Sequence, residues 1–287
     1  MSQTIVRAAG VLTGWGRGLT ALPADPRVAA GDRSVIEARP TARGGDRLRR
    51  ATRECLLAID AVEALLEDGG LERGDLAGDG TALVYVTAAA YGASNRAFVE
   101  GGGGALHFPY TAPSAVPAEV AIEFSLHGPY AVLIGGATTT LEALTHATTL
   151  LSRGACARAL VLAVETFAEC ADLHARARWL EPRPLVEAAV AVLLEPVKGE
   201  RDELRGEIDS GAAGEIGGGV GGSASCPPKP TASVSRPPNT DGTLACAPLI
   251  ELARARAGGH ENLVVSGRWR GRETTLTLGV TAVAQRA

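Results

Sequence analysis

The residues whose types and spacing could do chemistry cluster around Gly135-Gly136-Ala137-Thr138-Thr139-Thr140. An apolar run, Tyr130-Ala131-Val132-Leu133-Ile134, leads into the glycine pair. A helix beginning at Ala137-Thr138 follows, with Leu141, Leu144, Leu150 and Leu151 along it. Paired glycines permit a sharp strand-to-helix turn, because they tolerate backbone angles that a Cβ forbids. Such a turn holds one side chain at a helix N-terminus, where the dipole and free N–H groups favour negative charge. Enzymes place a nucleophile there. Here the position holds Ala137, whose methyl group has no chemistry.

The neighbouring threonines admit two readings: a hydroxyl that caps a free N–H of the helix, or a nucleophile or ligand at Thr138. No histidine can be assigned as their base; His146 lies two turns along the same helix and is expected to face packing. Glu165 closes an apolar run, where a carboxylate can act as a base at a cleft edge or serve as a cap or ion-pair partner. Cys170, just beyond it, and Cys246 are either displaced nucleophiles or inert buried thiols. Arg268, Arg270 and Arg272 around Trp269 form the most cationic stretch, suited to a phosphate or simply to a solvated turn. Arg47, Arg49, Arg50 and Arg53 pose the same choice.

Bulk properties narrow the class. The chain has 287 residues, a net charge of −4, 46% hydrophobic and 21% charged residues, values ordinary for a globular protein. Its acidic balance argues against nucleic-acid binding by a basic surface. The 5 cysteines are scattered, with no C-x-x-C pair, and the histidines lack metal spacing, so neither a disulfide framework nor a zinc site is expected. No signal peptide is read at the N-terminus and no run approaches the length of a membrane span. A cytoplasmic protein without a metal or cofactor is the expectation.

The elements that must position these residues alternate. Strands are expected at Ile5–Thr13, Thr81–Thr87, Tyr130–Ile134, Arg158–Glu165 and Leu185–Leu194, with final strands at Asn262–Val265 and Thr274–Val283. Helices are expected at Arg47–Leu66, from Ser114 through Leu126 and from Ala137, and Asp241–Leu252 reads as a turn and then a helix with Pro248 near its first turns. The Gly101–Gly104 run lacks the Lys-Ser/Thr of a phosphate loop. Residues 211–238, rich in Gly, Ser and Pro, read as an irregular connection. Alternation of buried strands and helices implies an α/β fold.

The order of these pieces resembles the β-ketoacyl synthase branch of the thiolase fold. The resemblance rests on Ala8-Ala-Gly-Val-Leu-Thr-Gly-Trp-Gly16 as the opening strand and on Gly128-Pro129 followed by seven residues and the elbow. It extends to Arg158–Glu165 as the next core strand, and to Ser266-Gly-Arg-Trp-Arg-Gly271 before the final strand. It implies a layered α-β-α-β-α architecture with two mixed sheets. The whole of 1–287 would be one domain, with pseudo-halves of about 1–200 and 201–287 and a shortened second half.

The same resemblance places the family's cysteine nucleophile on Ala137. It places one family histidine on about Gly242, a nearby lysine on about Pro237, and the other histidine in an apparent deletion. Arg268-Trp269-Arg270-Gly271 replaces a Gly-Phe-Gly-Gly loop. Gly135, Gly136, Ala137, Thr138, Glu165 and Trp269 would line a vestigial pocket, and Arg268, Arg270 and Arg272 would contact a phosphate or carrier protein. Tyr130 to Ile134 would form a dimer interface.

The reading is a non-catalytic partner subunit, akin to a chain-length factor, in fatty-acid- or polyketide-type biosynthesis. It would form a homodimer or a heterodimer with a catalytic ketosynthase, and an acyl carrier protein is a further candidate partner. Two alternatives stand beside it: an enzyme with relocated groups (Glu165, Thr138 or Cys170), and an acyl- or CoA-binding regulatory module.

Overall fold

A computed structural model describes residues 4–41, 46–101, 104–105, 107–176, 184–197, 241–259, 262–269 and 272–279. The Gly/Ser/Pro-rich stretch, Pro237, Arg270 and His260 lie outside the described residues. The strands are β1 (Thr4–Thr13), β2 (Gly16–Arg17), β3 (Val35–Ile36), β4 (Thr81–Thr87), β5 (Tyr130–Ile134), β6 (Arg158–Glu165), β7 (Leu185–Val186), β8 (Ala188–Pro196), β9 (Asn262–Trp269) and β10 (Arg272–Gly279). The helices are α1 (Pro26–Ala30), α2 (Arg53–Gly69), α3 (Arg73–Leu76), α4 (Gly92–Glu100), α5 (Ala115–Glu123), α6 (Ala137–Ser152), α7 (Ala171–Arg176) and α8 (Ala247–Ala257).

One six-stranded mixed sheet, ordered β2-β1-β8-β6-β4-β5, organises the chain. β4 pairs in parallel with β5 and β6, whereas β8 runs antiparallel to β6 and β1. The central strands are covered on both faces, which is why they read as unbroken apolar runs. Val84, Val86, Val161, Ala163, Val190 and Val192 point to the side of α6 and α8. Leu83, Tyr85, Leu160, Leu162, Ala191 and Leu193 point to α2 and α5. The antiparallel hairpin of β9 and β10 packs on α6 and α8. The described residues thus give an α-β-α-β order of layers, in which the second sheet is a two-stranded hairpin.

Several elements differ from the sequence reading, each for a local reason. The run Leu185–Leu194 is two strands broken at Glu187, because that carboxylate turns inward to bind backbone N–H groups, as described below. The helix expected from Arg47 starts at Arg53; residues 46–50 form a 3-10 turn, and extended Thr52 separates the two. The polar segment from Pro23 to Gly45, whose composition reads as loop, contains α1, whose N-cap Asp25 accepts from the N–H groups of Arg27 and Val28. Helix α4 left no periodic signature because it buries none of its residues.

Gly10 of β1 explains how closely the α2 layer sits. A Cβ there would collide with the backbone of Ala61 and Leu65, so the strand and helix touch main chain to main chain. Backbone cannot retreat as a side-chain tip can. Gly10→Ala is therefore expected to destabilise the fold by about 2 kcal/mol or more, read as a lower midpoint in urea unfolding.

Candidate functional site

The elbow has the predicted shape. β5 ends at Ile134 and α6 begins at Ala137, with Gly136 as the N-cap residue. The role of the glycines differs from expectation, since neither Gly135 nor Gly136 has a positive φ. Gly135 is needed for room: a Cβ would strike the side chain of Thr139. Ala137 sits at the mouth with only 7% of its surface exposed. The threonines do not cap, because α6 has no side-chain bond at its N-terminus. Instead Thr140 is buried, and its hydroxyl donates to the carbonyl of Ala245 at 2.7 Å.

That carbonyl belongs to the turn Asp241–Cys246, which packs against β6 and the start of α6. On its other side the turn meets Glu165. This carboxylate ends β6 and is fully buried, not placed at an open cleft edge. It accepts from the N–H groups of Ala88 at 2.8 Å, Ala89 at 2.9 Å and Ala245 at 3.3 Å. The Thr87 hydroxyl lies 3.5 Å away, and itself accepts from the N–H groups of Ala89 and Ala90. Burial, only partly offset by these donors, pushes the Glu165 carboxyl up to about 8. Glu165 therefore ties the end of β4, the end of β6 and the Asp241–Cys246 turn together. Gly242, near which the resemblance places a family histidine, lies in that turn, pressed onto the backbone of Pro184.

A second buried carboxylate, Glu187, was missed by the sequence reading, which took it as part of an apolar strand. It accepts from the N–H groups of Phe167 at 2.7 Å, Ala168 at 2.7 Å and Ala38 at 2.8 Å. Both its oxygens also receive the Arg53 guanidinium, at 2.6 and 2.8 Å. Arg53 meanwhile grips Glu169 through two further bonds. Burial opposes the charge on Glu187, but the Arg53 bonds and the N–H donors outweigh it and hold the carboxyl below its usual range. The available signal was the acid itself: a lone Glu inside Leu-Val-Glu-Ala-Ala-Val must be buried, and a buried charge needs a partner.

The other candidates are dispersed. Cys170 and Cys246 are both buried, and burial raises their thiols, so neither is an activated thiolate. His146 is exposed on α6 rather than packed, and His107 and His127 are exposed as well. Arg268 and Trp269 lie in β9 and Arg272 in β10, with Arg272 paired to Trp269 across the hairpin. Arg47 bridges Glu119 and Glu123 of α5 and so acts as a structural clamp. Among the described residues no group of His, Cys, Asp and Glu could hold a metal.

The mixed sheet with its layers and glycine elbow defines a thiolase-like fold. It is similar to the ishigamide ketosynthase/chain length factor, with a TM-score of 0.55 at 19% identity over 69% of this chain and 63% of that one. It is also similar to AntDE:AntF, a type II PKS acyl-carrier protein in complex with its ketosynthase bound to the hexaketide: TM-score 0.56, 15% identity, 72% of this chain and 65% of that one. A beta-ketoacyl synthase from Burkholderia phymatum STM815 gives 0.53 at 17% identity, over 72% and 61%. The chain thus spans less than two thirds of the length of each. No curated protein matches in sequence.

Residues 35–180, just over half of the chain, match the family model "Beta-ketoacyl synthase, N-terminal domain". The chain belongs to the β-ketoacyl synthase family.

The two carboxylates predict opposite pH dependences. Glu165 holds its proton more tightly folded than unfolded. Its contribution is complete below the unfolded value of 4.5 and is lost as pH rises toward about 8, at up to about 1.4 kcal/mol per pH unit. Glu187, lowered in the fold, contributes above the unfolded carboxylate range and loses its contribution as pH falls through it. Thermal melts of the unsubstituted chain should decline in midpoint between about pH 5 and 8, and those of Glu165→Gln should lack this decline. Arg53→Met, which strands the Glu187 charge, should cost about 3–5 kcal/mol at neutral pH in urea unfolding.

Proposed function

We propose that this chain is a non-catalytic ketosynthase-like subunit that pairs with a catalytic ketosynthase in fatty-acid- or polyketide-type biosynthesis. The observation that carries the reading is an elbow kept in shape around a methyl group. Gly135, Gly136 and the start of α6 are in place, while Ala137 offers no atom that can form an acyl-enzyme. Two nearby polar groups, Glu165 and Thr140, are engaged with the Asp241–Cys246 turn. The relocated-nucleophile reading is weakened by the sealed Glu165 carboxyl and the raised Cys170 thiol.

The proposed pairing surface is β5. Among the described residues it is an edge strand, bonded only to β4 within the sheet. In a parallel ladder, the N–H and C=O of one residue face the same neighbour and successive residues alternate sides. The Pro129 carbonyl and the Gly135 N–H face β4, so Tyr130, Val132 and Ile134 turn their backbone groups to the open edge. Tyr130 is 48% and Ile134 56% exposed, an apolar edge of the kind that recruits another strand. A ketosynthase with a matching edge strand would extend the sheet, in a heterodimer or, in its absence, a homodimer. Gly135, Gly136, Thr138 and Trp269 are proposed as remnants of the family pocket, and Arg268, Arg270 and Arg272 as a carrier-protein contact. The chain has no helix among the described residues long and apolar enough to cross a membrane. A cytoplasmic setting is part of the proposal.

Co-expression with the neighbouring genes, followed by pull-down and light scattering, tests the pairing. Val132→Pro removes one outward N–H, a change that edge strands accommodate. It should leave the melting midpoint nearly unchanged but reduce association at least tenfold. The purified chain alone should form no acyl adduct with an acyl-thioester by mass spectrometry and release no carbon dioxide from a malonyl thioester. Adduct formation or decarboxylation would overturn the reading.

A further inference from the structure

The Asp241–Cys246 turn has features that packing alone does not require. Leu244 has φ 45° and ψ −108°, a left-handed conformation in which a Cβ is strained. The strain sits between two anchors. On one side Gly242 fits tightly on Pro184. On the other, Ala245 donates to Glu165 and accepts from Thr140. Cys246, fully buried, places its Sγ 3.5 Å from the Ala188 carbonyl. The turn thus covers a carboxyl group whose other donors, Ala88 and Ala89, come from the end of β4.

From this geometry we propose that Asp241–Cys246 is a strained latch, closed over Glu165 and the first turn of α6, and that ionisation of Glu165 opens it. An ionised carboxylate sealed in the interior is relieved by water. Glu165 itself is fixed in the sheet ladder opposite Ala188, and Ala88 and Ala89 follow directly on Thr87, which is paired with Ile134. The turn is held at this point by the Ala245 and Cys246 bonds and carries stored strain, so it is the cover that yields. The titratable groups acting on Glu165 from the packed elements are the Tyr85 phenol of β4 and the Cys246 thiol of the turn. Burial raises both, so each is neutral through the range in which Glu165 titrates, whereas burial sets the Glu165 carboxyl at about 8. No cation bonds to Glu165 in the contacts of the described residues, and α6 contributes the Thr140 hydroxyl to the turn's hydrogen bonds. The latch is independent of the pairing role proposed above. Its consequence is that a sealed carboxyl becomes accessible at the elbow only in the open state.

Cys246 reports the opening. The full chain would be exposed to iodoacetamide from pH 6.5 to 9, with labelling at each cysteine read by mass spectrometry and corrected for the reagent's own pH dependence on an unfolded control. Cys55, fully buried in α2, serves as the internal standard for global unfolding. The expected result is selective Cys246 labelling that rises roughly tenfold per pH unit up to about pH 8 and then levels, with Cys55 still protected. Leu244→Gly, which removes the strain, should slow Cys246 labelling by about tenfold. Glu165→Gln should abolish the pH dependence. Labelling of Cys246 and Cys55 at equal rates, or a Cys246 rate indifferent to pH and to Leu244→Gly, would overturn the proposal. The parent profile and Leu244→Gly decide the matter even if Glu165→Gln fails to fold.

Discussion

Six backbone N–H groups at one end of the main sheet are satisfied by two buried carboxylates. Glu165 takes those of Ala88, Ala89 and Ala245, and Glu187 takes those of Ala38, Phe167 and Ala168. The end of a strand is where the ladder runs out, and an unpaired buried N–H costs about 1–3 kcal/mol. Two acids placed beside each other across the β6–β8 pairing, where Glu165 faces Ala188, settle that deficit on opposite faces of the sheet. Glu165 works on the side of α6 and the Asp241–Cys246 turn, and Glu187 on the side of α2.

The two solutions differ in electrostatics. Glu187 has a cation, Arg53, and stays ionised; among the described residues Glu165 is bonded only by dipoles, and burial pushes it toward its neutral form. The charged pair is a rigid joint between α2 and the segment after β6, because removing either partner leaves a buried charge uncompensated. The neutral carboxyl is a softer joint, since it can gain or lose a proton without a counter-ion. The elbow beside it needs neither acid as a catalyst to keep its shape. This is how the turn at Gly135-Gly136 persists around Ala137.

Much of the central architecture was legible from sequence because it is written in apolar runs. β4, β5, β6 and the start of α6 match the residue bounds read from periodicity and turn residues. What escaped the reading was set by single polar residues with distant partners. The break between β7 and β8 comes from Glu187, whose ligands lie 20, 134 and 149 residues away in the chain. Thr140 looks like a local cap but serves the Ala245 carbonyl, 105 residues on. Residue type announces that a buried polar group needs a partner, but local spacing cannot name a partner that folding brings from another segment.

The state of the elbow follows from how these polar groups are distributed. A condensing site must keep hydrogen-bond donors directed at the space where an oxyanion develops, and must hold a nucleophile at the mouth. In this chain the Thr140 hydroxyl is directed at a carbonyl, and the Ala245 N–H at a carboxyl. These two donors are thus engaged within the chain, between the turn, α6 and β6. Losing the nucleophile would remove the reason to keep them free, and closing the turn over them lowers the cost of their burial. On the proposed non-catalytic reading, the methyl group at Ala137 and the closed turn are two parts of one adjustment. They leave the exposed edge of β5 as the feature of this region that still faces outward.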